Sequence, residues 1–203
     1  MEYKRLTLAD IKNNDEVKAL VKRQSDYLEV MGYTEHGLRH IGYVSRTTAN
    51  ILAETGADAR TIELGEIAGW LHDMGNTLSR KYHGLTGGLL AYNVLIRAGM
   101  DPEEAALIAN AIGNHEENVG VATTALAAAL QLADKSDAHR SRINKTNYDE
   151  HDIHDRVNMS IKKNYLVVDT AKQVIRLVII MSATSAPMEY LQIYLPRMVM
   201  CEK

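Results

Sequence analysis

Six residues of metal-binding type are scattered along the chain: His40, the adjacent pair His72 and Asp73, then His83, His115 and Asp134. Read as helices, the segments that carry them aim most of them from apolar faces, where an unpaired charge is expensive. His40 stands one turn before Val44 on the stripe of Ile41, Val44, Ile51 and Leu52. Asp134 follows Ala127 and Leu130 by seven and four residues, and His115 follows Ile108, Ala111 and Ile112 by seven, four and three. An unpaired buried carboxylate costs several kcal/mol, so Asp134 needs a cation, a hydrogen-bonding cage or a metal.

Each residue alone has a bland reading. His40 can be a satisfied core histidine, His72 and Asp73 a helix C-terminal pair, His83 a surface loop residue, His115 a polar helix end, and Asp134 a buried partner of Arg140 or Arg142. Taken together, five helix ends or faces would each need an unrelated reason, whereas one buried metal centre covers them all. Imidazoles and carboxylates without thiolates suit Fe, Mn, Co, Ni or Zn better than Mg or Ca. Two ions fit if Asp73 bridges them; a pair about 3.5–4 Å apart makes hydroxide at neutral pH and steadies in-line displacement on phosphorus. Phosphoryl transfer is therefore the natural chemistry. Of the nearby cations, Arg80, Lys135 and Arg140 are candidates to hold an anionic substrate, while Lys81 and Arg142 read as surface charges or partners of Asp137 and Glu116. GLTGG after His83 lacks the GK[ST] of a P-loop; its glycines suit close helix approach.

Helices must position these residues. Asp15 caps a helix to about Val30, a second runs from about Glu35 to Glu54, a third from about Asp58 to His72, and a fourth from about Gly84 to Arg97. Gly32, Gly56, Gly75 and Gly99 stop them. Asp101 and Pro102 start a helix that breaks at Gly113–Asn114, and Thr123 or Thr124 starts the alanine-rich helix that carries Asp134. After Arg142 come a polar stretch over 143–151, a short helix from about Ile153 to Lys162, and two β-branched runs, Tyr165–Val168 and Val174–Met181, that read as a hairpin. A last helix starts at Ala186–Pro187. The expected fold is all-α: a helical bundle over residues 1–142, with residues 143–203 adding a helix, a β-hairpin and a helix to the same core.

At 203 residues and 46% hydrophobic, the chain can bury one sizeable core rather than build two full domains. A net charge of -3 gives no general attraction to nucleic acid. Cys201 alone excludes a disulfide framework, and no apolar run approaches the about 18 residues of a membrane span. The start lacks the apolar stretch of a signal peptide, so a cytoplasmic protein is expected and the sequons at Asn144 and Asn158 read as accidental. As a bare edge, Val174–Met181 would be an aggregation liability, which favours a homodimer through the hairpin and final helix.

The order His40, His72–Asp73, Asp134, with LHDMGN at the central pair and LADKSD at the last residue, resembles the HD-domain metal-dependent phosphohydrolases over about residues 33–142. The dipeptide HD is weak; the spaced set in helical context is specific. The resemblance implies an all-α core and a first ion held by His40, His72, Asp73 and Asp134. In two-metal members, histidines at the places of His83 and His115 hold a second ion, with Asp73 as the bridge. His36 and His40 lie one turn apart and both can face one site; His40, with Val44 four residues on, fits the family's ligand, leaving His36 to orient a ligand or transfer a proton. The segment 114–121 lacks the GYP motif of the cyclic-di-GMP phosphodiesterases, and HDMGN lacks the Glu-Asp pair of the guanosine tetraphosphate hydrolases, which disfavours both activities. LADKSDAHRSR is similar to the diadenosine tetraphosphate hydrolase branch without matching it closely. The implied activity is metal-assisted hydrolysis of a phosphomonoester or nucleotide-like phosphodiester, with one or two divalent transition-metal ions. His36, Lys135 or Asp137 would move a proton or hold phosphate, and Arg80, Lys135 and Arg140 would bind the small anionic substrate. HD-type di-iron oxygenases share the ligand set, and a metal-stabilised domain without turnover is a third reading.

Overall fold

A computed structural model describes residues 3–117, 119–143, 148–182 and 187–202. The sequon at Asn144 and the helix start at Ala186 lie outside them. In chain order the elements are α1 (Leu8–Asn13), α2 (Asp15–Val30), α3 (Leu38–Glu54), α4 (Ala59–Leu71), α5 (His83–Ala98), α6 (Pro102–Gly113), α7 (Ala125–Ser136), α8 (Ile153–Ser160), β1 (Ile161–Asp169), β2 (Val174–Met181) and α9 (Pro187–Met198). Short 3₁₀ turns cover Met74–Thr77, Arg140–Arg142 and Val199–Glu202. The fold is the expected mostly helical one, with one antiparallel hairpin among the described residues.

Helix ends follow local chemistry. Asp58, Asp101 and Thr124 cap α4, α6 and α7 through their side-chain oxygens. For α2 the cap is Asn14 rather than the expected Asp15: its Oδ1 accepts from Glu16 and Val17 N–H at 2.9 and 3.1 Å. The sequence reading did not find α1, because six residues are too few for periodicity; a reciprocal Thr7–Asp10 capping box starts it. α3 begins at Leu38, later than expected, with Gly37 as its N-cap, so His36 lies in the preceding loop and not on the helix of His40.

The main core gathers Ile41, Val44, Ile67, Leu71, Ile108 and Leu130, all fully buried, and each such side chain contributes about 1.5–3 kcal/mol. Close helix approach depends on missing side chains. A Cβ on Gly69 would come within 2.6 Å of the Ser45 Cα, and one on Gly88 within 2.7 Å of the Ala109 carbonyl, so α4 could not lie so near α3, nor α5 so near α6. On the outer side of the bundle, the Lys12 ammonium sits 4.2 Å from the Trp70 ring centre, in a groove shared with Val17, Val21 and Leu38.

Leu166 and Ile175 of the hairpin pack on the main core. β1 starts four residues before the expected run, and Asn164 in that extension donates to the Ser136 carbonyl at 2.7 Å and the Tyr43 hydroxyl at 3.0 Å, docking the strand on α7 and α3. The outer strand edges, where pairing of two copies is expected, meet no third strand among the described residues. A second cluster of Ala138, Val157, Ile161 and Tyr194 seats α9. Tyr194 donates to Asn158 Oδ1 at 3.0 Å and stacks on Tyr190, while Arg156 of α8 pairs with Glu189 of α9 at 2.8 Å. Asn158, at the second sequon, is thus buried. No helix of the described residues is long and apolar enough to cross a membrane.

Candidate metal centre

The six residues come together, and each sits at or near a helix end. His40 is in the first turn of α3, His72 is the C-cap of α4, Asp73 opens the following 3₁₀ turn, His83 is the first residue of α5, His115 follows α6, and Asp134 is in the last turn of α7. Local hydrogen bonds fix each ring. His72 Nδ1 donates to the Gly69 carbonyl at 2.9 Å, His83 Nδ1 to Arg80 at 2.9 Å and His115 Nδ1 to Ile112 at 2.7 Å, all three residues back along the chain. His40 Nδ1 instead donates to Asp137 Oδ2 at 2.6 Å. With Nδ1 as the donor in all four, every Nε2 presents a lone pair.

Those lone pairs face one another. His40 and His72 Nε2 are 3.2 Å apart, and His83 and His115 Nε2 are 3.1 Å apart. Two acceptors at such a distance repel unless a cation lies between them. Donors sharing one ion at about 2.0–2.1 Å each sit about 3–3.5 Å from one another, so the spacing suits a metal. Asp73 lies between the two pairs: Oδ2 is 3.5 and 3.6 Å from His72 and His40 Nε2, and Oδ1 is 3.5 and 3.9 Å from His83 and His115 Nε2. Asp134 Oδ1 stands 3.4 Å from His40 Nε2 and 3.7 Å from His72 Nε2. Asp73 Oδ2 is buried with no hydrogen-bond donor, a costly state for a carboxylate oxygen that a divalent cation would relieve. The donor set thus fits divalent transition metals as His40, His72 and Asp134 on one side and His72, Asp73 and His115 on the other.

Electrostatics favour the ligating forms of His72, His115, Asp73 and Asp134. Burial holds the His72 and His115 imidazoles below their ordinary range, and so neutral. Burial would raise the Asp134 carboxyl, but Lys135, 2.6 Å away, and the His40 contact hold it well down; the imidazoles do the same for Asp73. Burial and the Arg142 cation push His40 down, yet its contacts to Asp134 and Asp137 prevail and raise it.

The other expected site residues fall into two groups. Arg80 and Lys135 line the cleft over the ligand cluster, together with His36 and Arg142. Arg140 does not: it is exposed and donates to the Ile161 carbonyl at 3.3 Å, because the 3₁₀ turn carries it away from α7. Arg142, read from sequence as a surface charge or partner of Asp137, is that partner and is also buried on the cleft wall; its Nη2 reaches His36 Nε2 at 2.9 Å. His36 Nδ1 donates to the Thr34 carbonyl, and burial with the Arg142 charge holds its ring well below the ordinary range. Asp137 does not face the cleft; Arg39 at 2.6 Å, His40 and Arg142 enclose it.

Three residues escaped the sequence reading. Asn76 donates to Asp73 Oδ1 at 2.9 Å and accepts from Arg80 at 3.1 Å, Glu117 pairs with Lys135 at 3.0 Å, and Arg197 of α9 reaches the cleft wall. Only Asn76 carried a signal, as the polar residue one turn after Asp73.

No protein-family model matches the chain, and no curated protein does. Among solved structures it is similar to a crystal structure titled a predicted HD superfamily hydrolase, from an uncultured Thermotogales bacterium, at 21% identity over 66% of this chain and 75% of that one, with a TM-score of 0.48.

Proposed function

We propose that this chain is an HD-type metal-dependent phosphohydrolase. The observation that carries the reading is the convergence of four imidazole Nε2 atoms on the Asp73 carboxylate, whose Oδ2 has no hydrogen-bond donor, beneath a cleft whose walls hold Arg80, Lys135, Arg142 and Arg197. His40, His72, Asp73 and Asp134 would hold a first ion, and His83 and His115 would reach a second across Asp73. Bound there, divalent ions supply Lewis-acid polarisation of a phosphoryl oxygen and a lowered pKa for water.

The chain's own groups do the rest. Lys135 keeps Asp134 ionised and its ammonium at the cleft. Arg142 turns toward the cleft because His36 accepts from it, so His36 positions a cation instead of moving a proton. Asp137 holds His40 in the tautomer that ligates. The cationic walls favour an anionic phosphate ester over the neutral polyols that an oxygenase of this ligand set would take.

The test is elemental analysis of the purified protein, followed by hydrolysis assays on a panel of phosphomonoesters, nucleotides and phosphodiesters with the identified metal restored. Turnover is expected, and His72→Ala and Asp134→Ala should lose both bound metal and turnover. Full metal occupancy in the folded variants would overturn the ligand assignment. Dioxygen uptake with no phosphate release would replace hydrolysis.

A further inference from the structure

Not every cation in the cleft has a carboxylate partner. Lys135 is matched by Asp134 at 2.6 Å and Glu117 at 3.0 Å, and Arg142 by Asp137 at 3.4 Å. Arg80 has only Asn76 Oδ1 at 3.1 Å, His83 Nε2 at 3.4 Å and the Tyr33 ring face, 5.1 Å from its guanidinium carbon. Arg197 has only the Tyr194 ring, at 5.3 Å. Neither guanidinium has a carboxylate within 4.0 Å among the residues whose side chains are described. Two half-buried guanidiniums therefore line one cleft without counter-ions, in a chain whose net charge is -3. An anion entering the cleft would therefore meet two guanidiniums with free donors.

The position of Arg197 follows from the seating of its helix. Tyr194, one turn earlier, is buried and bonded to Asn158, and Glu189 is tied to Arg156, so α9 is fixed by contacts that do not involve Arg197. After α9, Met200 is buried, which pins the helix beyond Arg197 as well.

We propose that Arg80 and Arg197 form an anion subsite beside the ligand cluster, and that this subsite selects a terminal phosphate group. The choice of substrate class rests on the phosphohydrolase reading. A guanidinium presents donors in a planar fork, and two such forks together call for a group with more than one charge and at least three free oxygens. A phosphomonoester dianion has both. An internal phosphodiester offers one charge and two free oxygens, which cannot satisfy both guanidiniums while also facing the ligand cluster. All of the described side chains that line the cleft are ionisable, so an apolar leaving group finds no apolar surface among them.

The test uses the full chain loaded with its metal, in wild type, Arg197→Ala and Arg197→Lys forms. Inorganic phosphate binding is measured by calorimetry, and KM and kcat are measured on p-nitrophenyl phosphate and bis(p-nitrophenyl) phosphate. Arg197→Ala is expected to keep the wild-type metal content and melting temperature. It should weaken phosphate binding by about 10–100-fold and raise KM for the monoester to a similar degree, with kcat changed less. Arg197→Lys should recover part of the loss, because a point charge remains but the fork does not. The diester should be a poor substrate for wild type and indifferent to the substitution. Unchanged phosphate affinity in Arg197→Ala, or no phosphate binding by the wild type, would overturn the subsite. A diester turned over as well as the monoester would overturn the selection. If neither these esters nor any member of the phosphoester and nucleotide panel is hydrolysed while wild type binds phosphate and Arg197→Ala binds it more weakly, the subsite stands and the phosphohydrolase reading falls.

Discussion

Asp137 has no view of the cleft, yet it governs the first histidine. Its Oδ2 takes the His40 Nδ1 proton at 2.6 Å and is clamped in turn by Arg39 and Arg142. A carboxylate in this position fixes the ring and strengthens its other nitrogen as a ligand, and loss of such a partner typically costs 10- to 100-fold in metal affinity. Asp137→Asn should therefore weaken metal binding by about 10–100-fold, read by competition with a chelator of known affinity, and unchanged affinity in the folded variant would remove this role. At this scale the sequence was informative wherever a polar residue broke an apolar stripe, as His40, His115 and Asp134 do. It was silent on Arg39, Glu117 and Arg197, whose partners lie on other elements, so no local spacing marks them. Sequence spacing assigns Arg140 to the substrate and Arg142 to the surface or to Asp137, but the 3₁₀ turn over Arg140–Arg142 sends Arg140 outward and Arg142 inward, onto Asp137 and the cleft wall.

Elements meet the centre through their ends, and those ends are tied to one another. The Glu116 carboxylate, next to His115, accepts from the Tyr82 and Gly84 N–H groups at 3.2 and 3.3 Å, so the residue after one candidate ligand caps the helix that begins with another. Tyr82 adopts a left-handed φ of 61°, a conformation rare outside glycine, to make that entry. Gly75 has no room for a side chain: a Cβ would lie 2.0 Å from the His83 carbonyl, which is why the 3₁₀ turn after Asp73 can press against α5. At the far end of the bundle, Arg60 of α4 binds Glu104 of α6 through two bonds, at 2.7 and 2.5 Å, and also the Leu6 carbonyl before α1. The Arg60 bonds hold the Glu104 carboxyl below its ordinary value of 4.5. A lowered folded value means that the stabilisation is present above that pH and fades as the pH falls through the folded value. Glu104→Gln should cost about 0.5–1 kcal/mol in urea unfolding near neutral pH, and the gap between variant and wild type should close on acidification below 4.5. A gap that persists in acid would assign the cost to packing. Most elements were legible because caps and glycines punctuate them; α1 was not, being shorter than a readable period, and the early start of β1 depends on Asn164 reaching α7, a contact that strand propensity does not encode.

For the molecule as a whole, the donors come from five successive helices, α3 to α7, and from the turns between them. An ion bound by all of them joins segments from residue 40 to residue 134 and stabilises the folded form by mass action. At 100 times its dissociation constant the ion adds about 2.7 kcal/mol, so chelation should lower the melting temperature by about 5–10 °C in a calorimetric scan. An unchanged melting temperature after complete metal removal would show that the bundle is held by its apolar core alone. Optical detection of such transitions is constrained by one side chain. Trp70 is the single tryptophan, the chain has no phenylalanine, and the indole is covered by the Lys12 ammonium in the groove beside α1. Indole emission is therefore a built-in gauge of whether α1 is seated on α4. A chain that sheds its first helix while keeping the metal centre intact would look unfolded by fluorescence and native by metal content, and the difference between the two signals would measure the free energy of seating that helix.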